Sequence, residues 1–239
     1  MSISSFLTKK FLKSLFFPAH NRGKALPKGL IRLLKKQPGF WDLPELPEIG
    51  SPLSNSGLIH DAQISISKKV NTKKCFFGVN GASGLIQSGI IAMANPGEYI
   101  LMPRNVHISV IKACALQNII PIFFDIEFSR VTGHYMPITK KWFTNVFNNI
   151  DFDNSKIAGV ILVSPYYQGY ATDLEPLIKI CHLHNLPVLV DEAHGSYFLF
   201  CENFNLPKSA LRSKADLVVH SLHKSLNGLT QTAIIWHNG

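Results

Sequence analysis

The chain has 239 residues, of which 46% are apolar and 16% charged, so it can bury one sizeable core and is not extensively disordered. Its formal net charge is +9, but the excess is spread over the amino-terminal region and several lysine pairs, which does not favour nucleic-acid binding. No apolar run reaches the roughly 20 residues of a membrane span, and no signal peptide is evident, so we expect a cytoplasmic protein without a membrane partner.

Residues 1–57 are predicted to form an amino-terminal arm and an irregular loop. Met1 to Phe17 is basic and partly amphipathic, and we interpret it as an arm that packs on the domain or on a partner subunit. Pro27 to Lys36 is typical of a short helix with proline at its start. Gln37 to Gly57 is rich in proline, glycine and serine, and a long irregular segment of this kind is often functional or packed on a partner.

Residues 58–239 show a regular alternation of helix and strand patterns and are predicted to form one large domain. Strands are predicted over Lys74–Val79, Tyr99–Met102, Ile119–Phe124, Ala158–Val163, Val188–Asp191, Leu217–His220 and Thr232–Trp236. Helices are predicted over Leu58–Val70, Ser83–Ala94, Ser109–Gln117, Lys140–Asn148 and Asp173–Asn185. Continuous apolar strands separated by helices indicate an α/β fold with a mostly parallel seven-stranded sheet and helices on both faces.

Two ionisable residues stand at the ends of predicted strands. Asp191 ends one apolar strand, and Lys224 closely follows another. In sheets of this kind, ligands bind beyond the carboxyl ends of the strands. A lysine and a carboxylate placed there match pyridoxal phosphate (PLP), because the lysine can bind its aldehyde and the carboxylate can keep its pyridine nitrogen protonated. Burial can also lower the pKa of such a lysine, while nearby Ser221 and His223 can donate to a phosphate. A PLP enzyme is therefore the leading hypothesis.

Other interpretations of these residues stay open. Asp191 begins a run, Asp-Glu-Ala-His, that also occurs in helicase-type ATPases, but those proteins need a G-x-x-x-x-G-K-[S/T] loop that the chain lacks. Asp191 could instead cap a helix. Asn80 to Gly84 opens a helix after a strand, where it could bind a phosphate or simply form a tight turn. His107 could stack on a cofactor ring or cap a helix.

Cysteine and histidine spacings do not indicate a metal site. His182 and His184 are two residues apart and therefore face different sides of a helix. No Cys-x-x-Cys spacing occurs, which predicts reduced thiols at Cys75, Cys114, Cys181 and Cys201.

Several motifs have a counterpart in one known family. They read VHSLHKSLNGLTQTA from Val219 to Ala233, DEAHG from Asp191, RNVHIS from Arg104, NGAS from Asn80 and PAHNRG from Pro18. The first resembles the PLP-attachment signature of the prokaryotic ornithine/lysine/arginine decarboxylases, which are PLP enzymes of fold type I. The others resemble that family's D-E-A-H-G, R-N-x-H-K-S, N-G-T-S and P-G-H-x-x-G motifs. The resemblance runs from about residue 18 to the end of the chain and implies an aspartate-aminotransferase-like large domain.

The resemblance also implies roles for individual residues. Lys224 would bind PLP, Asp191 would pair with the pyridine nitrogen, and His107 would stack on the ring. The other implied cofactor-binding residues are Ser83, Gly84, Ser221 and His223 around the phosphate, with Ala193 and His194 close to the cofactor. The implied reaction is loss of CO₂ from arginine, lysine or ornithine, which gives an amine of the kind used in polyamine metabolism. The implied assembly is a homodimer or a higher oligomer.

The sequence also departs from the family pattern. Ala82 replaces a threonine, Ile108 replaces a lysine, and Tyr166 replaces the threonine of S-P-T-Y, where it could crowd the cofactor. The family continues into a smaller carboxyl-terminal domain, which we expect to be absent here because the sequence stops at Gly239. Two alternatives remain: another fold-type I PLP enzyme, such as an aminotransferase or a carbon–sulfur lyase, or a truncated PLP-binding fragment without catalysis.

Overall fold

A computed structural model describes residues 17–51, 54–150, 156–201, 204 and 206–239. The strands are β1 Lys74–Gly78, β2 Tyr99–Pro103, β3 Ile120–Phe124, β4 Phe128–Ser129, β5 His134–Tyr135, β6 Ile157–Val163, β7 Val188–Asp191, β8 Leu217–Ser221 and β9 Ala233–His237. The α-helices are α1 Lys28–Leu34, α2 Leu58–Val70, α3 Gly81–Met93, α4 Ile108–Gln117, α5 Lys140–Asn148, α6 Glu175–Leu183 and α7 Leu222–Ser225. Two 3₁₀ helices span Pro38–Trp41 and Ser196–Phe200.

Seven strands form one sheet in the order β1-β9-β8-β7-β6-β2-β3. The five strands from β8 to β3 in that order are parallel, whereas β9 pairs antiparallel with both β8 and β1. The connection after β2 leads to one side of the sheet and the connection after β6 leads to the other, so the direction of winding changes between these two strands. Ligands of open parallel sheets bind at such a change of direction.

The alternation of side chains along the strands separates two buried layers. Leu189 points to one face of the sheet, where it packs with Ile86 of α3 and Val110 of α4. Its neighbour Val190 points to the opposite face and joins the cluster that contains Phe143 of α5. Both faces are therefore covered by helices. The predicted fold class, a mostly parallel seven-stranded sheet with helices on both faces, is confirmed.

Local side-chain bonds fix where two helices begin and where one ends. His107 precedes α4, and its Nδ1 accepts a hydrogen bond from the Ser109 N–H at 3.2 Å. Thr139 caps α5 in the same way by accepting from the Trp142 N–H at 3.2 Å. At the other end of α4, Asn118 adopts a left-handed backbone with φ of 55°, which stops the helix. The capping interpretation of His107 is thus observed.

The elements that the sequence did not predict are all short. They are the β4–β5 hairpin, α7 and the two 3₁₀ helices, which span two to five residues each. Segments of this length contain too few residues to show a period of 2 or 3.6. Of the arm predicted for residues 1–17, only Phe17 lies within the described residues.

In the described ranges, no helix is long and apolar enough to cross a bilayer. The same residues contain no group of three histidine, cysteine or acidic side chains arranged to hold a metal ion. His182 instead lies 2.9 Å from Asp216 Oδ2, across the α6–β8 contact. Three of the four free thiols, those of Cys75, Cys114 and Cys181, are buried.

Candidate active site

A pocket opens at the carboxyl ends of the parallel strands, where β2 and β6 lie side by side. Its volume is about 140 Å³. The lining residues are Ala82, Ser83, Ile86, Asn105, His107, Val163, Pro165, Tyr167, Asp191, Ala193, His194 and Lys224. Six of the nine residues predicted for the site belong to this lining: Ser83, His107, Asp191, Ala193, His194 and Lys224. Residues far apart in the sequence meet here because parallel strands all end at the same edge of the sheet.

Lys224 lies on the four-residue helix α7 and reaches the pocket from the end of β8. Its Nζ lies 3.0 Å from Nε2 of His194. Burial lowers the pKa of Lys224, and the negative charge of Asp191 opposes part of that change. Burial also lowers the pKa of His194 to about 4, and the positive charges of Lys224 and His107 act in the same direction. A neutral imidazole can therefore accept the lysine N–H, and the amine is closer to its nucleophilic form than a surface lysine is.

Asp191 ends β7 and is 6% exposed. Among the described residues, its carboxylate is hydrogen-bonded by the Ala193 N–H, which donates to Oδ1 at 3.1 Å. Burial raises the pKa of Asp191, whereas the bond from Ala193 and the positive charges of Lys224 and His107 oppose the rise. A buried carboxylate with one such bond keeps capacity to accept a donor from a ligand.

His107 serves the fold and the pocket together. Its Nδ1 is held by Ser109, whose backbone N lies at 3.2 Å and whose Oγ lies at 2.8 Å. The same ring lines the pocket and lies close enough to influence the charges of Asp191 and His194. The two interpretations that the sequence left open, helix cap and pocket wall, are therefore compatible.

The residues predicted to hold a phosphate are only partly at the pocket wall. Ser83 lines the pocket in the first turn of α3, but Gly84, Ser221 and His223 are not part of the lining. A Cβ on Gly84 would lie 2.9 Å from the Asn80 Cβ, so glycine permits the tight start of α3. Ser221 Oγ and His223 Nδ1 are 3.2 Å apart and bond each other. Burial lowers the pKa of His223. A phosphate role for these three residues stays a prediction.

An amino-terminal segment, Phe17 to Ala25, packs against the helix that carries Lys224. The Ala19 N–H donates to the His223 carbonyl at 2.8 Å. The Phe17 ring meets the His194 ring edge-on, with centroids 6.1 Å apart, and Tyr167 makes a similar contact at 5.6 Å. Sequence reasoning assigned no role to Phe17 or Tyr167. The one signal was that the PAHNRG motif near Phe17 resembles a family motif.

The protein-family comparison covers nearly the whole chain. The model for the Orn/Lys/Arg decarboxylase major domain matches residues 17–239. The chain belongs to the Orn/Lys/Arg decarboxylase family. An arginine decarboxylase from Bacillus cereus is 31% identical over 218 residues, which cover 91% of this chain and 46% of that relative. The chain thus spans less than half the length of this curated relative.

Solved structures place this Orn/Lys/Arg decarboxylase chain in the fold-type I group. The E. coli constitutive lysine decarboxylase superposes with a TM-score of 0.71 at 18% identity, covering 99% of this chain and 34% of that one. An SPT structure solved with PLP superposes with a TM-score of 0.56 at 18% identity, covering 76% of this chain and 42% of that one. At these identities the likeness shows the fold, which is that of PLP enzymes.

Two departures from the family motifs can now be placed. Ala82 is buried and lines the pocket, so the missing threonine removes a hydroxyl from its wall. Tyr166 is 3% exposed and is not part of the lining, so it does not form the crowded wall that the sequence suggested. Its neighbour Tyr167 lines the pocket instead. Burial raises the pKa of the Tyr166 phenol, which lies near Thr172 and Asn105.

Proposed function

We propose that the chain binds PLP in this pocket and forms the cofactor-binding part of a decarboxylase for a basic amino acid. The observation that carries the proposal is the meeting of Lys224 and Asp191 in one pocket at the ends of β8 and β7. The two side chains are electrostatically coupled, because the charge of each opposes the pKa change that burial causes in the other. A lysine with a lowered pKa beside a buried carboxylate is typical of a functional site.

The chemistry of the pocket fits PLP. The cofactor carries an aldehyde, a flat aromatic ring with a pyridine nitrogen, and a phosphate. The pocket offers an amine on Lys224, a flat imidazole on His107 and a carboxylate on Asp191. Its small side chains, Ala82 and Ala193, leave space for a planar ring. When bound, PLP supplies an acceptor for the electrons left on the substrate α-carbon after CO₂ departs.

Each lining side chain then has a defined task. Lys224 binds the aldehyde carbon through Nζ, and His194 orients that amine by accepting its N–H. Asp191 accepts the proton-bearing pyridine nitrogen and stabilises its positive charge. His107 covers one face of the ring. Donors for the phosphate come from Ser83, with Gly84, Ser221 and His223 as further candidates.

The proposed substrate is arginine, lysine or ornithine, and the proposed product is the corresponding amine. The support is that relatives of this chain are named arginine decarboxylase and lysine decarboxylase. Because the chain spans less than half the length of those relatives, substrate recognition is proposed to need groups beyond this sequence. A transamination or carbon–sulfur cleavage on the same cofactor is the alternative, and the products distinguish the three reactions.

We also propose that the protein acts in the cytoplasm as a homodimer or a higher oligomer. The support is the irregular segment between α1 and α2, which leaves large apolar side chains exposed. Phe40, Leu43 and Leu46 are 57%, 59% and 44% exposed. Apolar side chains clustered on one segment often mark a protein interface. Light scattering during size-exclusion chromatography measures the mass in solution, and a monomer at all concentrations would contradict the oligomer.

The test of the proposed function is whether PLP becomes attached to Lys224. Purified protein is mixed with PLP, reduced with borohydride and dialysed, and the absorption spectrum and peptide masses are recorded. We expect one retained, reduced adduct on the Lys224 peptide. Lys224→Ala should lose this adduct, whereas Lys179→Ala, which removes an exposed lysine of α6, should keep it.

The same preparation is then assayed for CO₂ and amine from arginine, lysine and ornithine. Amine formation supports the decarboxylase, whereas a keto acid would identify an aminotransferase. Retention of PLP without any product would support the PLP-binding fragment. A folded wild-type protein that forms no adduct at Lys224 would rule out the proposed function.

A further inference from the structure

A second group of polar side chains lies directly behind the pocket, on the opposite face of the sheet. It consists of Glu192, His220 and Trp236, which we name the rear triad. The side chains of His220 and Glu192 are 0% and 1% exposed, and Trp236 is 3% exposed. Trp236 packs in the same buried cluster as Val190, whose side chain points away from the pocket. None of the three lines the pocket, so the proposed chemistry does not use them directly.

The hydrogen bonds of the rear triad define the protonation of His220. The Trp236 indole N–H donates to His220 Nδ1 at 2.9 Å. An indole nitrogen can only donate, so Nδ1 must accept and carries no proton. The ring proton is therefore on Nε2, which donates to Glu192 Oε2 at 2.7 Å. His220 is held as a neutral imidazole in one tautomer.

Glu192 completes the chain of bonds. Its second oxygen, Oε1, accepts from the Ala210 N–H at 2.9 Å, so both carboxylate oxygens are acceptors. Burial raises the pKa of Glu192, and the bond from His220 opposes this most strongly. The rear triad thus joins β9, β8, the residue after β7 and the segment before β8. Buried networks with all partners satisfied hold a single geometry.

The rear triad is adjacent in sequence to the residues of the pocket. Glu192 follows Asp191 directly, and His220 lies on β8 shortly before Lys224. A bond between the two rear side chains therefore fixes the separation of the two pocket residues. His220 is also close enough to Asp191 that a positive charge on its ring would stabilise that carboxylate. While Trp236 occupies Nδ1, the ring cannot take up a second proton there.

We propose that Glu192 and His220 are positioning residues: with Trp236 they fix the ends of β7 and β8 and keep the side chain behind Asp191 uncharged. This inference rests on the proposed function of Asp191 and Lys224. The uncharged imidazole leaves the Asp191 carboxylate to be compensated by the ligand rather than by the protein. The groups that face His220 are Glu192, Trp236 and Asp191, and each is part of this argument.

The first experiment measures the tautomer of His220 without PLP. Two-bond ¹H–¹⁵N spectra of histidine-labelled protein report which ring nitrogen carries the proton, and His220→Gln identifies the signals of this ring. We expect an unprotonated Nδ1 and a protonated Nε2 in the wild type at pH 7. In Trp236→Phe, which keeps an aromatic ring but removes the N–H, the Nδ1 signal should move. A protonated Nδ1 in the wild type would overturn the proposal whether or not PLP binds.

The second experiment separates positioning from general stability. Glutamine can accept from Trp236 and donate to Glu192, so His220→Gln should bind PLP within about threefold of the wild type. His220→Leu removes both bonds, and its PLP affinity should fall at least about tenfold. Ile178→Val, a buried change on α6, is the control for lost stability. Trp236→Phe is measured as well, in case His220→Leu does not fold.

The outcomes are distinguishable. Loss of affinity in His220→Leu and Trp236→Phe, with recovery in His220→Gln and none lost in the control, supports the proposal. Wild-type affinity in Trp236→Phe, or an equal loss in Ile178→Val at matched melting temperature, would overturn it. Absence of any PLP adduct on wild-type Lys224 would instead overturn the proposed function, while the expected tautomer would still be found.

Discussion

The two faces of the sheet at the ends of β7 and β8 carry similar side chains with very different bonding. On the pocket face, the hydrogen bonds of the described residues give Asp191 one donor, and Lys224 contacts His194. On the rear face, Glu192 accepts two hydrogen bonds and both ring nitrogens of His220 are bonded. Asp191 and Glu192 are both buried and adjacent, so burial alone does not explain the difference. The rear face is built for fixed geometry, whereas the pocket face keeps bonding capacity for a ligand.

Removing the rear carboxylate should produce the largest loss of stability. Glu192→Ala leaves the Ala210 N–H and the His220 Nε2–H without acceptors inside the core. We expect the free energy of unfolding to fall by about 3 kcal/mol, because each buried unpaired donor is costly. Urea unfolding followed by circular dichroism measures this change. A loss smaller than about 1 kcal/mol would mean that the rear bonds contribute little.

The neighbouring change on the pocket face should have the opposite profile. Asp191→Asn keeps an oxygen that can accept from Ala193 but removes the negative charge. We expect PLP affinity to fall about 100-fold, while the free energy of unfolding changes by less than about 1 kcal/mol. Asp216→Asn is the matched control, because Asp216 bonds His182 and the Val188 N–H away from the pocket.

Titration of PLP by fluorescence and urea unfolding measure the two effects of the Asp191 change. Asp216→Asn should lose stability and retain PLP. If Asp191→Asn instead binds PLP as the wild type does, the carboxylate has no role in holding the cofactor.

The pocket histidine should make stability depend on pH. The pKa of His194 falls from 6.5 to about 4 on folding, so the unfolded chain binds more protons between these values. Stability that is present above pH 6.5 is therefore lost as the pH falls toward 4. His194→Gln should lose about 1 kcal/mol less than the wild type over this range, since the partly exposed ring reduces the full effect.

Unfolding free energies at several pH values check the His194 prediction. Asp191 and Glu192 have raised pKa values and change stability in the opposite direction above their unfolded pKa. They are present in both proteins, so the difference between wild type and variant isolates the histidine. Parallel pH curves for the two proteins would show that His194 titrates normally.

The smallest effect should come from the exposed wall of the pocket. Tyr167 is 82% exposed, so Tyr167→Ala should change the free energy of unfolding by less than about 0.5 kcal/mol. Loss of its edge-on contact with His194 should weaken PLP binding about threefold. Leu183→Ala, equally exposed on α6, should leave PLP binding unchanged. Identical PLP affinity in Tyr167→Ala and wild type would remove Tyr167 from the site.

The sequence was sufficient to predict the sheet and the central pocket residues. Asp191 and Lys224 follow continuous apolar strands, and a general rule places the ends of parallel strands together. The three predicted residues outside the lining, Gly84, Ser221 and His223, depend on finer geometry. The turn after β8 is only four residues long, and its rotation sets which of its side chains face the pocket. Short turns of this kind have no periodic pattern from which rotation could be predicted.

The rear triad shows what the alternation along a strand could have revealed. His220 and Ser221 are adjacent, so one must point away from the pocket. Trp236 lies beside His220 because β8 and β9 pair antiparallel, with Val218 opposite Trp236. The antiparallel pairing of β9 is a long-range choice that local sequence does not encode. For this reason the polar partners of Glu192 could not be predicted from their own motifs.

The contact between Ala19 and His223 has a consequence for folding during synthesis. The two residues are separated by roughly 200 positions in the chain, and closing so long a loop costs entropy that only the finished structure can offset. On the ribosome, the amino-terminal segment emerges first but has no surface to dock on until α7 has been made. The Lys224 region is therefore expected to be the last part of the described chain to become ordered, long after most of the sheet can form.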